Sequence, residues 1–224
     1  YKAWMIETYK PKTVNLRIQA LNKYLLFIRK PQLRLKGVKL QQQHFLENVI
    51  SNEDYIFLKN SLKNDNDLRG YFIVRFLGAT GARISELVKL KVEHVKAGYY
   101  DIYSKGGKVR RLYIPKPLRE EALEWLSSTN RESGYLFISY YGTPINGRRV
   151  AQILKHYALK YGIDPKVVYP HSFRHRYAKN FIENYNDIAL LADLLGHEKL
   201  ETTRVYLRRT SSEQHQVVDE VVTW

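Results

Sequence analysis

The sequence predicts a mainly α protein with a small antiparallel β-sheet, an α+β fold in which one large, mostly helical domain follows a short helical piece. Three observations carry this. Apolar residues recur at alternating spacings of four and three along several stretches, as one face of a helix requires. Two short runs rich in Tyr, Ile and Val, Tyr99 to Ser104 and Val109 to Ile114, flank Lys105-Gly106-Gly107-Lys108 and read as a hairpin with a tight glycine turn. The 224 residues hold no internal repeat or low-complexity tract, and their length fits one large domain or a domain with a fragment.

From Thr13 the residues Val14, Ile18, Leu21, Leu25 and Ile28 form one helical stripe, with Lys12, Arg17, Lys23 and Arg29 on other faces. This basic helix either faces a nucleic-acid backbone or is an ordinary solvated amphipathic helix; the two readings weigh equally. Pro31 ends it. The aperiodic segment that follows, with Gly37 and three glutamines, reads as a connection, so the domains are expected at 1–36 and 37–224. Ser51 opens a helix with acidic residues in its first turn. Beyond the polar break at Asn64 to Asp67, a buried helix, a Gly-bracketed turn and a second helix carry Arg83 and Glu86. Pro117 starts another helix. Arg148 and Arg149 open one whose apolar stripe is Val150, Ile153, Leu154, Tyr157 and Tyr161. A Val-rich helix ends the chain.

The 37 Lys and Arg against 22 Asp and Glu give a net charge of +15 and a pI near 9.8, spread along the whole chain. Such a folded basic domain meets polyanions, DNA or RNA first. No apolar run approaches the ~20 residues of a membrane span. The absence of cysteine removes disulfides, thiolate catalysis and Cys-based zinc sites, and points to a reducing, cytoplasmic setting. Seven histidines show no paired metal spacing, and GxxxxGK[ST] is missing, so no metal, nucleotide or other cofactor is expected. The chain starts at Tyr1 with Met5 its only methionine, and reads as a piece of a longer protein.

Chemistry concentrates between Pro170 and Arg209. His171 and Arg174 stand three apart in PHSFRHR, on one face just inside a helix starting after Pro170, and that face can hold an anion. Gly196 closes the apolar run DIALLADLL as a left-handed cap, and His197 leads out of it. Tyr206 follows among Arg204, Arg208 and Arg209, the one residue of the set suited to act as a nucleophile on a phosphate. Upstream, Arg83 leaves a tight Thr80-Gly81-Ala82 turn, restrained enough to clamp a phosphate through two hydrogen bonds, and Glu86 one turn on can orient it. Lys105 sits at the hairpin tip, within reach of a site. Arg148 and Arg149 combine side-chain cations with free helix-start N–H groups and suit phosphate contacts.

ATGARISEL, SKGGKVRR, HSFRH and LLGHEKLETTRVY occur together in the order and with about the separations of the tyrosine recombinases, the phage-integrase-like DNA strand-exchange enzymes. The resemblance runs from about Ser51 to the end, and TVNLRIQALNKYLLFI resembles the last part of that family's core-binding domain. It implies a recombinase catalytic domain preceded by part of a helical core-binding domain. It implies catalytic roles for Arg83, Lys105, His171, Arg174, His197 and Tyr206: the arginines on the scissile phosphate, the lysine protonating the leaving 5′-hydroxyl, and the tyrosine forming a 3′-phosphotyrosyl ester. Glu86 then supports Arg83 from behind, and Arg110, Arg111, Arg148, Arg149, Lys12 and Arg17 are expected on DNA. The implied partners are double-stranded recombination sites, on which four copies assemble while the free chain is monomeric. Strand cleavage and rejoining of the type IB topoisomerase kind, or a DNA-binding protein of this fold without catalysis, are the alternatives.

Overall fold

The computed structural model describes residues 1–40, 48–103, 107 and 109–222. The chain divides into two compact units, residues 1–44 and 45–224. The first holds α1 (Lys2–Thr8) and α2 (Pro11–Phe27), where Pro11 supplies the fixed φ suited to a helix start. Met5, Val14 and Ile18 form its small core, with Tyr9, Leu35 and Val38 packed on it. The stripe read from the sequence stops early: Ile28 lies past the end of α2 and is 36% exposed. The segment after Pro31 is more than a connection. The Asn22 side chain accepts from the Leu35 N–H at 2.8 Å and donates to its carbonyl at 2.9 Å, and Asn15 does the same for Val38 at 2.7 and 2.9 Å.

In the second unit α3 (Asn52–Asn64) begins at Ser51, whose hydroxyl accepts from the Asp54 N–H at 2.9 Å. The central element is α4 (Leu68–Thr80), apolar nearly all round: Tyr71, Phe72, Ile73, Val74, Phe76 and Leu77 are all buried. A helix without a polar face has to be enclosed. Around it pack α3, α7 (Lys116–Ser128) and α9 (Pro170–Asn184), with Phe72 stacked on Trp125 at 4.6 Å. Between come α5 (Ile84–Leu87), α6 (Val92–Ala97) and the hairpin β1 (Tyr99–Tyr103) with β2 (Val109–Tyr113). The strands pair antiparallel with Tyr99 opposite Tyr113 and Tyr103 opposite Val109. Gly107 has φ of 75°, the positive value a tight turn favours in glycine.

The start of α9 is tied to the rest by two long-range bonds. Ser172 Oγ accepts from the Ile50 N–H and Arg176 Nε donates to the Ile50 carbonyl, both at 2.7 Å and buried. The chain closes with α8 (Gly147–Lys160), α10 (Ile188–Leu195), α11 (Leu200–Arg204), a 3₁₀ turn over Val205–Leu207 and α12 (Ser211–Val221). Helix α12 is pinned to α9 by an ion pair between Lys179 and Glu213, while Val218 and Val221 stay exposed. No described helix is long and apolar enough to cross a membrane.

Candidate active site

The end of α10 is where the site is built. A helix leaves its last carbonyls without intrahelical partners, and their partial negative charge attracts cations. Gly196 ends α10 at φ 64° and turns three consecutive carbonyls outward. Arg110 donates to Leu194 at 2.8 Å, Arg174 to Leu195 at 2.6 Å and Arg83 to Gly196 at 3.4 Å. Glycine is required twice over at 196, since a Cβ there would lie 2.4 Å from Arg110 Cδ. Three arginines from α9, β2 and the loop before α5 thus meet at one helix end.

One carboxylate serves them. Glu86 accepts from Arg83 through Oε1 at 2.9 Å and from Arg110 through Oε2 at 2.5 Å, and Oε2 also takes the Arg83 backbone N–H at 2.7 Å. That last bond caps the N-terminus of α5 and fixes the turn from which Arg83 departs. Arg174 is 1% exposed and donates from its other terminal nitrogen to the Gly81 carbonyl at 2.7 Å. Gly81 has φ of 61°, and a Cβ on it would sit 2.5 Å from the Tyr177 ring, so the turn that aims this carbonyl accepts only glycine without strain.

The histidines and the tyrosine complete the cluster. His197 Nε2 lies 3.0 Å from an Arg174 terminal nitrogen and Nδ1 lies 2.9 Å from the Thr203 hydroxyl. Arginine only donates, so Nε2 is the acceptor and Nδ1 carries the proton toward Thr203. Tyr206 is 4% exposed and packs with Ala178, Leu191 and Leu195. Its ring stacks on His197 at 5.7 Å and 12°, and meets the edge of His175 at 4.7 Å. The Tyr206 phenol stands close enough to the Arg174 guanidinium to favour its charged form. His171 stands beyond His175, with ring centroids 4.8 Å apart.

The electrostatics point one way. Burial, followed by Arg174 and Arg83, holds His171 below the ordinary histidine range. Burial, then Arg174, Arg83 and Arg110, pulls His197 down to about 4. His175 is pulled to about 4 by burial, then by His171 and Arg174. Arg174 is lowered by burial and by Arg83, and Arg110 falls to about 10, burial again the largest cause. These three histidines and two arginines are pushed toward their neutral forms, the signature of burial beside more positive than negative charge. An anion would relieve all of them together. The donor set suits a phosphate; no group of three His, Cys, Asp or Glu among the described residues is arranged to hold a metal.

Arg83, Glu86, His171, Arg174, His197 and Tyr206, the set implied by the family resemblance apart from Lys105, stand near one another in the structure. Lys105 lies outside the described residues. Arg110, expected on DNA, has a side chain only 9% exposed and bonded to Glu86 and Leu194, and so braces the site. Arg111 is held by Asp101 at 2.7 and 2.8 Å and lies over the Tyr99 ring, though 44% of its side chain remains exposed. Arg148 and Arg149 are exposed at the start of α8, where Gly147 packs on Ile84, the neighbour of Arg83. The Arg149 N–H, expected to be free, is instead capped by Asn146 at 2.9 Å. In the first unit Lys12 and Arg17 are exposed, Arg17 lying over the Tyr9 ring at 3.9 Å. Sequence reasoning missed His175 and Thr203. The spacing of His175, four residues after His171 on the same helix face, was the available signal.

Comparison with known proteins agrees with this geometry. Residues 47–213 match the model of the phage integrase family. Tyrosine recombinase XerA of Pyrococcus furiosus is 33% identical over 219 residues, covering 94% of this chain and 74% of the relative. A tyrosine recombinase of Agathobacter rectalis is 30% identical, covering 94% and 76%. Among solved structures, XerA recombinase superposes with a TM-score of 0.65 at 24% identity over 98% of this chain and 80% of that one. The Tn1549 transposon integrase, in complex with circular intermediate DNA, reaches 0.72 at 16% identity over 99% and 84%. The fold is thus that of the recombinase catalytic domains. With its matched span and its relatives, the chain belongs to the phage integrase family, the tyrosine recombinases, enzymes that cleave and rejoin DNA strands.

Proposed function

We infer that this chain is a site-specific DNA recombinase working through a covalent 3′-phosphotyrosyl intermediate on Tyr206. The observation that carries this is the Tyr206 ring packed between His197 and His175, beside the buried Arg174, at a centre that holds three arginines and one carboxylate.

A scissile phosphate entering this centre takes up the N–H groups of Arg83 and Arg174 that now rest on main-chain carbonyls and on His197. The pair neutralises the non-bridging oxygens as charge grows in the transition state. An ordinary phenol has a pKa of about 10 and is a weak nucleophile until its anion is stabilised and its proton removed. Arg174 beside the hydroxyl does the first. His171, held below the ordinary histidine range by burial and then by the same arginines, takes the proton. The Tyr206 oxygen forms a bond to phosphorus as the bond from phosphorus to the 5′-oxygen breaks. The leaving oxygen receives its proton from Lys105. Attack by a 5′-hydroxyl of another strand reverses these steps, returns the phenol and joins the new partner. The ester conserves the bond energy, so neither ATP nor a metal has a part.

Residues 1–36 serve as the last part of a core-binding domain, with Lys12 and Arg17 on the DNA backbone, while Arg111, Arg148 and Arg149 contact DNA from the catalytic domain that follows and that, with its linker, spans residues 37–224. The partners are double-stranded sites brought together by four copies, and the place of action is the cytoplasm. The test uses two supercoiled plasmids carrying the DNA recovered with this protein from its native cell. Joined plasmids are the expected product, and Tyr206→Phe gives none. Relaxed circles without joined ones would refute recombination in favour of topoisomerase-type rejoining.

A further inference from the structure

A second feature lies next to this site and has no part in the chemistry above. Between Phe137 and α8 the chain makes a tight turn, Ser139 to Gly142, closed by the Gly142 N–H to the Ser139 carbonyl at 3.1 Å. It is braced by the Ser139 N–H to the Thr143 carbonyl at 2.7 Å, by the two hydroxyls of those residues at 2.8 Å, and by a bridge between Ile138 and Pro144. The Tyr141 N–H donates to Ser139 Oγ at 3.2 Å, and Gly142 has φ of 75°.

The two central positions of this turn are Tyr140 and Tyr141, 92% and 87% exposed, with rings edge to face at 5.5 Å. Turn geometry favours Gly, Asn, Asp, Ser or Pro at such positions and asks for no aromatic. Neither ring is used in packing. The turn leads through buried Ile145 into α8, whose first residue lies against Ile84, next to Arg83, and whose second and third are the exposed Arg148 and Arg149. The aromatic tip is thus joined by a short run of chain to the paired arginines, at a helix start that meets the residue next to Arg83.

We propose that Tyr140 and Tyr141 form an aromatic contact to the DNA beside the cleavage site, their rings packed on a base or sugar while Arg148 and Arg149 hold the adjacent phosphates. The occupant is double-stranded DNA because the cations are flanking and the chain as a whole carries +15. Interleaved aromatic and basic groups suit a duplex flank: ring faces for the apolar sugar surface and groove edge, guanidinium groups for the phosphates. The braced turn limits the ordering cost of contact, and a tyrosine side chain has few torsions to freeze.

This contact rests on the recombinase reading, and the test separates the two. Binding of the whole chain to a mixed-sequence duplex is measured by fluorescence anisotropy over a range of salt concentrations. Tyr140→Ala/Tyr141→Ala is expected to bind at least about fivefold more weakly, the loss of the aromatic packing on the duplex. Its salt dependence should equal that of the parent, since no charge is removed. Tyr140→Phe/Tyr141→Phe should bind as the parent does. If the parent chain binds no duplex, the recombinase reading itself falls. If the parent binds and the double-alanine variant binds equally well, the contact is refuted. A double-alanine variant that keeps full affinity but loses self-association would also refute it, assigning the tip to a second copy of the chain.

Discussion

Glu86 is the carboxylate on which the site's stability turns, and its removal has a calculable cost. Its side chain is 8% exposed and that of Arg110 is 9% exposed, with 2.5 Å between their charged atoms. Without Glu86 the Arg110 guanidinium stays desolvated, with the Leu194 carbonyl as its remaining acceptor, and its pKa already lies at about 10 with the carboxylate present. Leaving one member of a buried ion pair uncompensated costs about 3–5 kcal/mol. Arg83 makes a smaller contribution because its side chain is 40% exposed and solvent screens the pair. For a domain of this size each kcal/mol moves Tm by about 2–4 °C, so Glu86→Leu should lower Tm by roughly 6–20 °C. Glu86→Leu/Arg110→Met should recover most of that loss, because apolar groups of similar volume need no partner. Urea and thermal unfolding of the single and double variants read the effect. A single-variant loss below about 1 kcal/mol, or a double variant no more stable than Glu86→Leu, would refute the reasoning.

Two further outcomes follow from the same geometry. Gly81→Ala forces a Cβ to 2.5 Å from Tyr177 at φ 61° and should cost about 1–3 kcal/mol in chemical unfolding, while DNA cleavage falls further because the Gly81 carbonyl no longer seats Arg174. His175 and His197, whose pKa values drop from 6.5 to about 4 on folding, bind fewer protons folded than unfolded between those values. The stability they contribute is therefore fully present above pH 6.5 and lost as pH falls toward 4, a loss that His175→Asn should make shallower in melts recorded across that window.

What the sequence disclosed was local. Gly196 as a left-handed cap, Ser51 as an N-cap and the helix from Pro170 that carries both His171 and Arg174 depend on neighbours within a turn or two, where spacing determines geometry. The partners that bury Arg110, Glu86 and Leu194, lie 24 and 84 residues away. Alternation along β2 puts Arg110 on the face of buried Leu112 and Arg111 on the face of exposed Val109 and Tyr113, a signal the sequence held, but what fills that inner face is decided by the helix end that packs there. Asn15 and Asn22 likewise pin residues 35–38 through side-chain bonds that no periodicity reports. The packing of the Tyr206 ring between two histidines needs α9 and the chain after α10 to come together, a tertiary fact.

The most direct measurement is the chemical identity of the residue that becomes attached to DNA. Nicked suicide duplexes bearing the recovered site trap any covalent complex, and mass spectrometry of the digested adduct locates the nucleotide. We expect a 3′-phosphonucleotide on Tyr206, and no trapped complex with Tyr206→Phe. A nucleotide found on a different side chain, or an adduct that survives Tyr206→Phe, would contradict the account.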